Sequence, residues 1–305
     1  MRTRIAHLAL TLYPLAFRER YGAEMHAHLE DEPAGTKTVL DLLRGALLAH
    51  IRPARGLSEN LDVGIRLRLG LSGVLACWVA FASAGFGFYK TTEDQPFSVA
   101  GGGHPTLGGA HLAVEALAAL ASVAVLIGAL PLIVIALRQA HRERGRLRVL
   151  VSLPVAAVIL FATVTGLLVL IAHSEHGQHA TAATHGAFIA WILFGLACGA
   201  VLVVAARNAL FATPVARAWL VGALVAATLV TAAMLAIAAA TMVYAVALPF
   251  DAPALAGEPN GPLQLLSVSI SLVVQLIEMS VCGVLAMASA RRAWRGIRTA
   301  APDSS

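Results

Sequence analysis

Six runs of predominantly apolar residues, each long enough to cross a lipid bilayer, recur along this 305-residue chain and leave few folds open to it. About 20 apolar residues at a helical rise of 1.5 Å span the roughly 30 Å of hydrocarbon. Inside lipid no water satisfies backbone N–H and C=O groups, so a segment of this length crosses as a helix. The runs are 69–89, 111–137, 149–172, 186–206, 218–248 and 263–290. With 58 % hydrophobic and 13 % charged residues, the chain lies far from the roughly 45–50 % and 25 % of soluble domains. The expected fold is all-α: a six-span transmembrane helix bundle over 69–290. A small N-terminal helical module (1–60) and a linker (61–68) precede it, and a basic tail (291–305) follows.

Lysine and arginine set the orientation, because they are retained on the cytoplasmic side of short loops during insertion. Ten of the 22 fall in residues 1–68, five between Arg138 and Arg148, two at Arg207 and Arg217, and four at Arg291, Arg292, Arg295 and Arg298. Lys90 alone lies opposite. An even number of spans is then expected to place both termini in the cytoplasm. The first 17 residues resemble a signal peptide, but Pro14 interrupts the apolar run and Phe17–Met25 (FRERYGAEM) replaces a cleavage site, so the segment is expected to be retained. The sequence pI near 9.6 reflects this topology and the attraction of basic residues to anionic headgroups of the lipid bilayer, and gives no reason to expect direct nucleic-acid binding.

Several enzyme classes are excluded by missing parts. A phosphate-binding loop needs Lys after Gly, and the two lysines follow Thr36 and Tyr89. GLSG at 70–73 has no histidine partner in a span core and reads as packing. Cys77, Cys198 and Cys282 each lie within a span without CxxC spacing, so neither a disulfide nor a thiolate metal site is expected. Gly195 and Gly199 form one GxxxG, read as a close helix contact. The expected protein is not an enzyme, requires no cofactor, and leaves its oligomeric state unspecified.

Two groups of polar residues stand out against this background. Gln264, Ser267, Ser271, Gln275 and Glu278 recur at spacings of 3, 4, 4 and 3, which confines them to one sector of the sixth span. Such a stripe must face protein or water, and Glu278 near mid-span is expected to be neutral or hydrogen-bonded. It reads either as a proton-responsive or substrate-lining carboxylate or as interhelical hydrogen bonding. On the outer side, His173, His176 and His179 form a histidine-rich loop, with His111 and Glu115 at i, i+4 nearby. These offer metal ligands or titrating groups, or simply a solvated connector.

The charged N-terminal stretch reads as helical. Phe17, Tyr21 and Met25 are four apart, and Thr38 with Asp41 makes a capping-box variant before Val39, Leu42, Leu43, Ala46 and Leu47. The runs YPLAFRERYGAEMHAHLEDEP and VLDLLRGALLAHIRP resemble the N-terminal module of many actinobacterial multi-pass membrane proteins. The likeness rests on Tyr13, Pro14, Phe17, Arg18, Arg20, Tyr21, Gly22, Glu24, Asp41, Arg44 and Gly45. Related modules are often paired with PadR-like repressors or extracytoplasmic-function sigma factors. The resemblance therefore implies a sensor or regulator whose Tyr13, Phe17, Arg18, Arg20, Tyr21 and Glu24 contact such a partner. Read without it, the same residues are ion pairs and core. The alternative function is a small transporter or permease subunit with a polar path along the sixth span.

Overall fold

The computed structural model describes residues 63–142, 146–174, 182–259 and 266–299, the backbone alone at 146–147, 169–174, 182–185, 188 and 299. Within 1–62 it describes positions 10, 13, 21–27, 29, 35, 38, 41, 42 and 45. The chain divides into two compact units, Met1–Asp62 and Val63–Ser305.

The second unit is built from α1 (Val63–Thr92), α2 (Gln95–Gly103), α3 (Pro105–Arg142), α4 (Arg146–Ser174), α5 (Ala182–Ala212), α6 (Arg217–Asp251), α7 (Pro253–Gly257) and α8 (Val268–Thr299). All except the short α2 and α7 are long and apolar enough to cross a membrane. No strand occurs among the described residues, and one antiparallel bridge joins Pro259 to Ser267. The all-α, six-span fold is therefore present.

Four pairs of neighbouring spans run antiparallel, as their paired contacts show. Along α1 and α8, Arg66 meets Gly296, Gly70 meets Ala293, Gly73 meets Ser289 and Gly87 meets Gln275. Between α3 and α6, Gly128 meets Ala226 and His111 lies 6.1 Å from Tyr244 between ring centroids. Phe161 of α4 stacks on Trp191 of α5, and α5 reaches α1 through Gly199 against Val79 and Arg68 Nη1 donating to Phe211 O at 3.0 Å. Gly195 faces Phe161 while Gly199 faces Val79, so the GxxxG serves two different neighbours.

The main apolar cluster draws Phe81 and Phe88 from α1, Leu107 and Val114 from α3, Met234 and Ile237 from α6, and Leu272 and Met279 from α8. Half of the most apolar stretch of α6 is buried, against 6 % for α5. Leu193, Leu196, Leu229 and Val246 are exposed, an arrangement that suits hydrocarbon and not water.

Two boundaries differ from the sequence reading. Residues 63–68, read as linker, form the first turns of α1, and Arg291 to Arg298, read as tail, continue α8. Fully buried Leu67 and Ala293 cluster with Leu220 and Leu224 there, so each extension keeps an apolar face although its arginines lower the mean hydropathy. The bridge at Ser267 starts α8 at Val268, whose N–H bonds to Glu258 O.

In the first unit, residues 21–27 are helical, as are positions 38, 41, 42 and 45. Leu10, Tyr13 and Leu29 are buried.

A Cβ at Gly70 would lie 2.6 Å from Ala293 Cβ and 3.1 Å from Ser289 O, whereas one at Gly85 would meet nothing within 4 Å. Gly70→Leu should therefore cost roughly 1–3 kcal/mol through overpacking, while Gly85→Ala holds or raises stability. Thermal unfolding of the two variants in detergent checks this contrast.

Candidate functional site

The polar stripe of α8 lies in its seam with α1. Gln275 is 7 % exposed and packs over Gly87, where a Cβ would stand 3.1 Å from its Nε2. Its Nε2 donates to Thr91 Oγ1 at 3.0 Å, and the Thr91 hydroxyl donates onward to Gly87 O at 2.8 Å. Gln275 Oε1 is buried without a hydrogen-bond partner, a situation that costs on the order of 1–3 kcal/mol. The close approach at Gly87 allows the short amide-to-hydroxyl contact.

One turn further along α8, Glu278 is half-buried. Ser83 Oγ lies 3.0 Å from Glu278 Oε1 and 2.6 Å from Ala80 O. A hydroxyl has one proton and can accept as well as donate. With the carboxylate ionised, Ser83 donates to it; with the carboxyl protonated, Glu278 donates to Ser83 and Ser83 donates to Ala80 O. The pair accommodates either state, and Glu278 is hydrogen-bonded as expected.

Among the remaining stripe residues, Ser271 is buried, with its N–H bonded to Ser267 O at 2.9 Å. Ser267 itself precedes α8, at the bridge to Pro259. Its carbonyl accepts from Ser271 N–H, so Ser267 stands at the start of the stripe, one residue before α8. Gln264 lies outside the described residues. Sequence reading missed Ser83, Gly87 and Thr91 on α1; their spacing of four places them on one face and was the available signal.

At the other polar grouping, His111 Nε2 lies 3.3 Å from Glu115 Oε1, with the His111 ring 5.7 Å from that of Phe88. His104 Nδ1 lies 3.8 Å from Asp251 Oδ1. His111 is thus packed among aromatic rings as well as paired. His173 falls in the last turn of α4, its side chain outside the description, as are His176 and His179 altogether. Among the described residues no group of three His, Cys, Asp or Glu side chains is placed to hold a metal.

In the first unit Tyr13 is 7 % exposed and lies over Gly45, where any Cβ would collide with the phenol oxygen. Burial pushes the Tyr13 phenol above its ordinary value, so the unit loses stability as pH rises beyond the usual tyrosine range. Tyr21 is half-buried and Glu24 exposed on the helix over 21–27. Phe17, Arg18 and Arg20 lie outside the described residues.

Compared with protein families, with curated proteins and with solved structures, the chain matches none. Its class follows from the fold: an integral membrane protein with six spans.

Two outcomes follow from these contacts. A double-mutant cycle on Gln275→Ala and Thr91→Val should return a coupling of roughly 0.6–1.7 kcal/mol, the range of interhelical hydrogen bonds in lipid, read from unfolding in mixed micelles. Gly45→Val should displace Tyr13 and raise the protease sensitivity of residues 1–62 severalfold, which timed proteolysis of the full-length protein measures.

Proposed function

We propose that this chain is a non-enzymatic regulator of the bacterial plasma membrane, whose spans respond to a condition and whose residues 1–60 dock a cytoplasmic transcription regulator. The partner class implied by the N-terminal motif is a sigma factor or a PadR-like repressor. The observation that carries the reading is the place of the polar stripe. Ser271 and Gln275 are buried, and Gln275 is engaged with Thr91 across the α1–α8 seam. The amide that would line a transport path is committed to joining two helices.

The separation of Met1–Asp62 as its own compact unit and the exposure of Glu24 on its helix fit a docking module. The lysine and arginine bias supports placing that module and the C-terminus in the cytoplasm. A transporter is the second reading, favoured by Glu278 and the shared Ser83 hydroxyl, which serve both protonation states.

The test is affinity capture with the full-length protein from solubilised membranes, beside an Arg18→Ala, Arg20→Ala variant. A transcription regulator should be captured by the parent chain and fall at least about tenfold with the variant. Capture of no regulator, together with solute uptake abolished by Glu278→Gln, would overturn the proposal in favour of transport.

A further inference from the structure

Only one charged side chain stands deep within a span. At the helical rise Glu278 lies about 15 Å from Val268, where α8 begins, and about 20 Å from Arg291 along the same helix, near the middle of a hydrocarbon layer of roughly 30 Å. No lysine or arginine falls within 69–89, 111–137, 149–172, 186–206, 218–248 or 268–290. The spans therefore bring no base to the depth of this carboxyl.

Glu278 also borders the lipid and not the bundle core. It is half-buried. Val274 and Val281, four residues before it and three after, are its neighbours on the helix surface, and each is 53 % exposed. Across the seam Ala82 and Ser83 of α1 are exposed, and a Cβ at Gly85 would meet nothing within 4 Å. Ser83 Oγ, 3.0 Å from Glu278 Oε1, occupies one of the roughly four positions at which a carboxylate accepts hydrogen bonds. The ion pairs of the described residues do not include Glu278. Three residues beyond Ser83, and so on the same side of α1, the Phe86 ring is 37 % exposed and meets Trp191 of α5 edge to face at 5.0 Å.

A carboxylate at the edge of hydrocarbon is costly unless something pairs with it, and the surroundings restrict what that can be. A bare metal ion would have to exchange its hydration shell for the carboxylate, the Ser83 hydroxyl and Ala80 O, too few oxygens to replace the water it sheds. A cation that carries its own apolar coat meets no such cost. We propose that the lipid-facing edge of the α1–α8 seam binds a lipophilic organic cation, an ammonium or phosphonium with apolar arms, entering from the bilayer. The charge sits beside Glu278, the arms lie along Val274 and Val281, and the Phe86 ring offers its negative face to the cation. This site goes beyond the docking reading, since it needs nothing from residues 1–60.

The experiment measures binding of radiolabelled tetraphenylphosphonium to the purified full-length protein in lipid nanodiscs, with tetraphenylborate, of the same shape and opposite charge, as the competitor. Binding should be saturable, with about one cation per chain, and tetraphenylborate should not displace it. Glu278→Gln, which keeps the shape of the side chain and its means of bonding to Ser83, should weaken binding at least about tenfold, or about 1.4 kcal/mol. Glu278→Asp keeps the charge and should retain affinity within about fivefold. Phe86→Ala should weaken binding roughly two- to fivefold, which keeps the test open if the Gln variant does not fold. Glu115→Gln, at the outer end of α3, should change it less than about twofold. Affinity unchanged by Glu278→Gln or by Phe86→Ala, equal losses for Glu278→Gln and Glu115→Gln, or displacement by tetraphenylborate would each overturn the site. Because no cytoplasmic partner is present in the assay, its outcome is separate from the success or failure of docking.

Discussion

The close approach of the first and last spans is the contact on which the rest of the membrane unit depends. Helices in lipid gain nothing from hiding apolar surface, because the surroundings are as apolar as they are; packing and interhelical hydrogen bonds must hold them. At one end of the α1–α8 seam Gly70 and Gly73 bring α1 onto Ser289 and Ala293, and at the other Gly87 brings it onto Gln275. Between these points Ser83 and Glu278 share a hydrogen bond. Joining the chain's first and last spans also closes the bundle, with α6 packed against both.

This seam accounts for what polar residues are doing inside an apolar protein. Thr91 and Gln275 are buried, and each finds its partner across or along the seam. Glu278 differs in being half-buried and held by one hydroxyl that can reverse its role. The Ser83–Glu278 hydrogen bond can serve either protonation state of the carboxyl without moving a helix.

Most of the architecture was legible because a bilayer imposes a length and an apolarity that any reader of the chain can measure. The limits of legibility lie where two segments meet. Hydropathy could not see that Leu67 and Ala293 extend α1 and α8 beyond their apolar runs, since the arginines interleaved with them lower the average. The stripe of Ser271, Gln275 and Glu278 was visible from spacing, but its partners Ser83 and Thr91 lie more than 180 residues away. Which spans are neighbours is not local information.

The α1–α8 seam is most directly tested by cross-linking. Gly73 and Ser289 face each other closely enough that a Cβ on Gly73 would stand 3.1 Å from Ser289 Cβ, near the separation of about 3.5–4.5 Å that a disulfide requires. With Cys77, Cys198 and Cys282 replaced by Ala, the chain carrying Gly73→Cys and Ser289→Cys should form an intramolecular disulfide on mild oxidation in native membranes. The Gly85→Cys, Ser289→Cys chain should stay reduced. No bond in the first chain, or equal bonding in both, would contradict the seam and the bundle built on it.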